Sequence, residues 1–369
     1  MKVMIYTFRN ENAISGERQT TKFLHNYLKL NHQVIDQERY NSSGEQSFWS
    51  FLSISKYSNL INFSKDNLVD LLIIKIPTAS QIFLIPLLTR GFKGEVVIWV
   101  DGLMWEFPRV KIFLEFIKRE PLVFLARMII NNNIWSRLAR FFPLTYVVSS
   151  KTQKLQFSHY LHPKSKIHII SNAVPYASDF TNLTGLKEIF ESGKETRFGY
   201  IGHSYPVKGL SDIKKSFEFL YKKGVFPKLE LALSERGNLA ADMQITFPNV
   251  VYTGTVNRSE FYSRIDCLIF PYWADWGTNT FPSVLLESIE LGIPVIISDS
   301  NLSRELFKEN NAFFYERKNY LELAHIIENI YVGDADLPSK ASLKVLYRNQ
   351  FSKENIENRW DLVINSVKV

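Results

Sequence analysis

A single cysteine, Cys267, stands among 369 residues, which excludes an intramolecular disulfide framework and fits a reducing compartment. Long apolar runs are missing too. The longest uncharged apolar-rich stretch, "IPTASQIFLIPLLT" from Ile76 to Thr89, is too short to span a bilayer and contains prolines. The opening "MKVMIYTFRN" has no apolar core of signal-peptide length and reads as a first β-strand. There is no short internal repeat, no low-complexity tract and no G-x-G-x-x-G fingerprint of a dinucleotide oxidoreductase. What is present is ordinary for a soluble or peripheral globular protein: 46% hydrophobic and 22% charged residues. The length allows two domains with cores of their own.

Charge is unevenly placed. Residues 1–180 carry 22 Lys/Arg against 13 Asp/Glu, a balance of +9, and residues 181–369 carry 22 against 24, a balance of −2. A basic front half suits nucleic acid or an anionic membrane surface. Arg109 to Phe142 concentrates this charge, with Arg109, Lys111, Lys118, Arg119, Arg127, Arg137 and Arg140 set among Phe, Ile, Leu and Trp. Such mixing suits an interfacial helix on anionic lipid, or core helices with basic outer faces. No RNA- or DNA-binding motif accompanies it, so a nucleic-acid partner is not expected.

Short β-branched runs alternate with helical patterns along the whole chain. "KVMIYTF", "HQVIDQE", "DLLIIKI", "EVVIWVD", "TYVVSS" and "IHIISNA" read as strands of the first half; "RFGYIG", "KLELALS", "NVVYTGT", "CLIFPY", "PVIISD" and "AFFY" read as strands of the second. This alternation predicts an α/β protein with parallel, helix-flanked sheets. The polar stretch Tyr176–Thr196 is the best linker candidate. Two doubly wound domains, 1–180 and 181–350, are expected to face each other across a cleft, with ligands at the carboxyl ends of the strands.

Two junctions in the second half carry chemistry. In "DWGTNTFPSVLLESIELGIPVIISD" (275–299) a polar loop becomes a helix at Thr280–Ser283, and the helix ends at Gly292. Free N–H groups at such a helix start suit a phosphate. Glu287 lies about one turn further in, near enough to accept hydrogen bonds from neighbouring hydroxyls; a solvated helix-face glutamate is the plainer alternative. Upstream, "GYIGHSYPVKGL" places Gly202 at a strand end and Lys208–Gly209 before a helix, where a lysine can reach a diphosphate.

Together these residues resemble the retaining GT-B glycosyltransferases of family four. "GHSYPVKG" is similar to that family's G-R-x4-K-G at Gly202, Lys208 and Gly209, with His203 in the arginine slot. "NTFPSVLLE" is similar to its E-G-x-P-x-x-L-L-E at Pro282, Leu285, Leu286 and Glu287, with Asn279 in the first-glutamate slot and Thr280 in the glycine slot. In the first half, "SGERQTTKFLHNYLKLNHQV" resembles the family's Gly-Glu-Arg helix, "KIHIISNAV" its K-I-x-V-I-x-N-G-V, and "VVIWVDGLMWE" a strand in which Asp101 stands where histidine is usual. The last residues resemble a helix, 351–369, that crosses back onto the first domain.

The resemblance implies transfer of a hexose or deoxyhexose, with retention, from a nucleotide diphosphate sugar to a glycan or lipid-linked glycan acceptor. It implies bacterial surface polysaccharide synthesis at the cytoplasmic membrane face, with no cofactor and no metal. Lys208, Asn279, Glu287 and Asp101 are the expected catalytic residues. Gly16, Gly202, His203, Lys208, Thr280, Phe281, Ser283 and Glu287 are expected to line the donor site, with Glu287 on the ribose, Asn279 on the sugar and Gly16 allowing a close approach of the first domain. A sugar-nucleotide epimerase or phosphorylase on the same fold, and a non-catalytic nucleotide-sugar-binding protein, stay open as alternatives.

Other signals are weaker. Asp334–Asp336 has the D-x-D form of a metal site but follows a helix near the C-terminus. His159 and His162 have no evident third ligand. Trp273 and Trp276 suit either stacking on a sugar or base, or loop packing.

Overall fold

The computed structural model describes residues 1–7, 16–35, 60, 62–76, 92–102, 140–141, 143–172, 195–204, 206–233, 247–273 and 280–367. The basic segment 109–139, the linker candidate beyond 172 and up to 194, and Asn279 and Trp276 lie outside them.

All twelve stretches expected as strands form strands. The first sheet contains β1 (Lys2–Thr7), β2 (Gln33–Ile35), β3 (Leu71–Ile76), β4 (Glu95–Val100), β5 (Thr145–Val148) and β6 (Lys166–Ile169), in the order β2-β1-β3-β4-β5-β6. The second contains β7 (Arg197–Gly202), β8 (Lys228–Leu233), β9 (Val250–Tyr252), β10 (Cys267–Phe270), β11 (Val295–Ser298) and β12 (Phe313–Tyr315), in the order β12-β11-β10-β7-β8-β9. Every pairing is parallel. Parallel neighbours need crossovers, and among the described residues these helices lie between consecutive strands: α1 (Gly16–Asn31), α2 (Lys151–Ser158), α3 (Leu210–Lys222), α4 (Arg258–Arg264), α5 (Ser283–Leu291) and α6 (Asn301–Leu306). Three more follow the last strand: α7 (Tyr320–Val332), α8 (Lys340–Phe351) and α9 (Lys353–Val367).

A sheet covered on both faces has apolar residues at both parities, and β3 is buried throughout. Its even residues and those of its neighbours, among them Met4, Leu72, Ile74 and Ile98, face one core. The odd ones, among them Val3, Ile5, Leu71, Val97 and Trp99, face the other. That second core is completed by Leu24 and Leu28 of α1 and by Ile356, Trp360, Val363 and Ile364 of α9. Trp99 and Trp360 meet edge to face with centroids 5.1 Å apart, an arrangement worth about 0.5–1.5 kcal/mol beyond its buried area. Helix α8, by contrast, packs Leu343, Tyr347 and Phe351 into the second domain's core. The chain therefore crosses back at Ser352.

Each sheet has one place where the connections leave in opposite directions: between β1 and β3 in the first, and between β7 and β10 in the second. Ligands of doubly wound sheets bind in the crevice outside the carboxyl ends of the strands at such a point.

Candidate functional site

At the second sheet's switch point, β7 ends at Gly202 and the chain forms a 3-10 turn, Pro206–Lys208, before α3. Gly209 is left-handed at φ 69°, and a Cβ there would lie 1.7 Å from the Pro271 carbonyl oxygen. Only glycine fits. Its bareness lets the turn bearing Lys208 close onto the end of β10, where Trp273 N donates to Val207 O at 2.9 Å. Lys208 Nζ donates to the Tyr272 hydroxyl at 2.6 Å and lies 3.9 Å from the ring centroid. The side chain is partly accessible, yet burial lowers the amine to a pKa of about 7. Among the described residues Lys208 has no carboxylate partner.

Helix α5 starts at Ser283, directly after Pro282. Pro282 is the extended N-cap and offers no side-chain cap, Ser283 is the first helical residue, and Gly292 closes the helix at φ 73°. Leu285 and Leu286 both donate to the Pro282 carbonyl. Ser283 is half-buried at the helix start, whereas the Phe281 ring turns into the core against Phe351, centroids 5.9 Å apart.

Glu287 is fully buried rather than on a solvated helix face. One carboxylate oxygen accepts from Arg258 at 2.5 Å and the other from the Tyr262 hydroxyl at 2.9 Å. Burial pushes its pKa up, and the two hydrogen bonds oppose that. The pair couples α5 to the start of α4, where Arg258 keeps a quarter of its side chain exposed.

The two sheets meet here. Thr280 donates to the Asp101 main-chain oxygen twice, from its N–H at 3.2 Å and from Oγ1 at 2.9 Å. Thr280 is thus 3% exposed and already engaged by the first domain. The Asp101 carboxylate is buried 3.2 Å from Lys75 Nζ. Gln153 ties the same corner together: Nε2 donates to Val100 O and Gly102 O, and Oε1 accepts from Ser149 N.

The structure brings Thr280 to Asp101 across the two sheets; Gly202 and His203 stand at the end of β7, Lys208 beside the end of β10, and Ser283 and Glu287 on α5. The His203 carbonyl accepts from the Tyr200 hydroxyl at 2.7 Å. Gly16 begins α1. Asn279 lies outside the described residues. Trp273, half-buried, donates its indole N–H to buried Asp212 at 2.7 Å. Burial raises that carboxyl to about 6 against the pull of this bond. His162 accepts from the Lys164 amide, and among the described residues no group of three or more His, Cys, Asp or Glu could hold a metal ion.

Sequence reasoning missed Tyr272, Arg258, Tyr262, Gln153 and Glu305. Tyr272 directly follows the switch-point strand and its proline, which is a signal. Ser150–Gln153 has the spacing of a capping box, yet the glutamine bonds Ser149 rather than the N-cap amide.

Comparison with known proteins bears on the same region. Residues 186–342, under half of the chain, match the family model described as Glycosyl transferases group 1. By sequence alone, no curated protein matches. By structure, the chain is similar to HepE of Anabaena in complex with UDP-glucose, at 14% identity and a TM-score of 0.67, covering 99% of this chain and 100% of that one. It is similar to a sucrose-phosphate synthase of Thermosynechococcus elongatus at 12% identity and a TM-score of 0.69, covering 99% and 98%. The lipopolysaccharide outer core galactosyltransferase WaaB matches at 13% identity and a TM-score of 0.63, covering 99% of each chain. These likenesses and the two six-stranded parallel sheets make the fold GT-B.

Proposed function

We propose that the chain is a retaining glycosyltransferase that moves a hexosyl or deoxyhexosyl group from a nucleotide diphosphate sugar to a glycan acceptor carried on lipid. The observation that carries this reading is Lys208: a half-buried amine beside the second sheet's switch point, with a neutral phenol as its partner. The match of the second domain to group 1 glycosyltransferases and the UDP-glucose in the HepE complex support it.

In the proposed reaction the bond between the anomeric carbon and the diphosphate breaks while the acceptor oxygen bonds to the same face. The acceptor's proton passes to the departing phosphate oxygen. The protein's part is electrostatic: Lys208, with His203 and the start of α5 at Ser283, stabilises charge building on the diphosphate. Glu287 supports this site from the core through Arg258 and Tyr262, and Asn279 acts on the sugar. Gly16 and Asp101 bring the first domain to the donor. No metal or cofactor takes part.

The basic first half docks this reaction on the cytoplasmic face of an anionic membrane, where surface polysaccharide precursors are extended. No helix among the described residues is long and apolar enough to cross a membrane. Transfer assays with a panel of nucleotide sugars test the activity; binding without turnover on any acceptor would instead indicate a nucleotide-sugar-binding protein. Flotation on liposomes tests the docking, which should need acidic lipid and weaken with salt.

A further inference from the structure

Tyr272 is held through both its ring and its main chain. Its ring stacks on Phe270 with centroids 4.0 Å apart and planes 27° apart. Its carbonyl accepts from Ser298 Oγ at 2.6 Å. The next residue, Trp273, is held by Val207 O through its main chain and by Asp212 through its indole. The Val207–Trp273 bond also fixes the separation between the turn carrying Lys208 and the strand end carrying Tyr272. A flexible four-carbon lysine stem thereby ends at a defined point.

The chemistry of the partner matters. A phenol accepts a hydrogen bond from the amine but brings no charge, and burial pushes its pKa well above the ordinary value, so it stays neutral. A carboxylate in its place would make an ion pair that an incoming diphosphate would have to break. Other titratable groups nearby have commitments of their own: Asp212 accepts from Trp273 and, at 3.4 Å, from the Tyr315 hydroxyl, and Tyr200 donates to His203 O.

We propose that Tyr272 is the positioning residue for Lys208, presenting its amine to the donor's diphosphate from a neutral hydrogen bond and an aromatic face. The proposal deepens the nucleotide-sugar reading and rests on it. Calorimetry with UDP and with GDP on the full chain tests it, using Tyr272→Phe, Lys208→Met and the double variant. Tyr272→Phe keeps the ring and should keep the thermal midpoint. It should weaken the binding nucleotide about two- to tenfold, the range of one net hydrogen bond. In the Lys208→Met background the same change should do nothing, because Tyr272 acts through the lysine. An equal loss in both backgrounds, or none in the wild-type background, overturns the proposal and leaves the function standing. Unchanged affinity in Lys208→Met alone overturns the function on which it rests.

Discussion

Each sheet places a lysine beside its switch point, and the two are treated in opposite ways. Lys75 lies on β3, in register with Thr7 of β1 and Trp99 of β4, and is 1% exposed. It has a counter-ion, Asp101, at 3.2 Å, and lies 4.0 Å from the Trp99 ring centroid. Lys208 stands at the β7–β10 crevice with an aromatic ring in similar contact, but with a phenol where Lys75 has a carboxylate. A buried cation with its own anion is committed to structure; one without is open to an anionic ligand. The first sheet's lysine therefore belongs to the contact around Asp101 and Thr280, and the second sheet's is the one proposed to meet substrate.

The largest effect should come from breaking the first pair. Asp101→Ala leaves Lys75 buried without its carboxylate, which typically destabilises by about 3–5 kcal/mol. Urea denaturation measures it. Lys75→Met combined with Asp101→Leu removes both charges and should restore much of the loss. If Asp101→Ala is as stable as wild type, the two lysines are not different in kind.

Lys208→Met should behave in the opposite sense. Fold stability should hold, since a half-buried amine without a counter-ion is replaced by an apolar chain of similar length. Transfer should fall on the order of a hundred- to a thousandfold, as when one donor to a charged transition state is lost. Stability lost together with activity would mean that Lys208 is structural like Lys75.

The contrast also predicts a pH dependence. Free Lys208 titrates near 7 because of burial, and a bound diphosphate favours the charged form and raises that value. The electrostatic gain is therefore complete below pH 7. It shrinks as pH rises from about 7 to the pKa of the bound state, by at most about tenfold in affinity per pH unit. Calorimetric titrations of nucleoside diphosphate between pH 7 and 9 should show the decline in wild type and a flat profile in Lys208→Met. A flat wild-type profile would place the amine's titration outside that window.

Most of the fold was legible because parallel, doubly covered strands leave continuous β-branched runs such as "DLLIIKI", and helices between them leave 3.6-residue periods. Gly209 and Gly292, required left-handed by backbone geometry, marked the turns correctly. The site was legible only in part. Thr280 read as a phosphate donor, but its hydroxyl and amide reach Asp101, 179 positions away in the chain. Glu287 read as a ribose ligand, and nothing in "SVLLESIEL" announces Arg258, 29 positions back. Partners that distant follow from the docking of elements, which local patterns do not encode.

The smallest expected effect tests whether the two domains touch in solution as they do here. Glu305, on α6 of the second domain, reaches the start of α2 in the first. Its carboxylate accepts from Lys151 N at 2.6 Å, from Thr152 N at 2.8 Å and from Thr152 Oγ1 at 2.8 Å. Ser150 already caps this helix through Gln153 N, so Glu305 satisfies the next free amides and sets a negative charge at the positive end of the helix dipole. A cap of this kind is worth about 1 kcal/mol, or roughly a fivefold change in an equilibrium. Glu305→Ala should therefore speed hydrogen exchange at the Lys151 and Thr152 amides about fivefold, while β3 and β10 stay protected as before. The Thr280–Asp101 contact should hold the domains together on the other side, so global unfolding should shift by little more than the cap itself. If exchange at Lys151 and Thr152 does not change, the domains do not rest in this closed contact. Thr280, released from Asp101, would then be free to meet the donor's phosphate with the rest of the helix start.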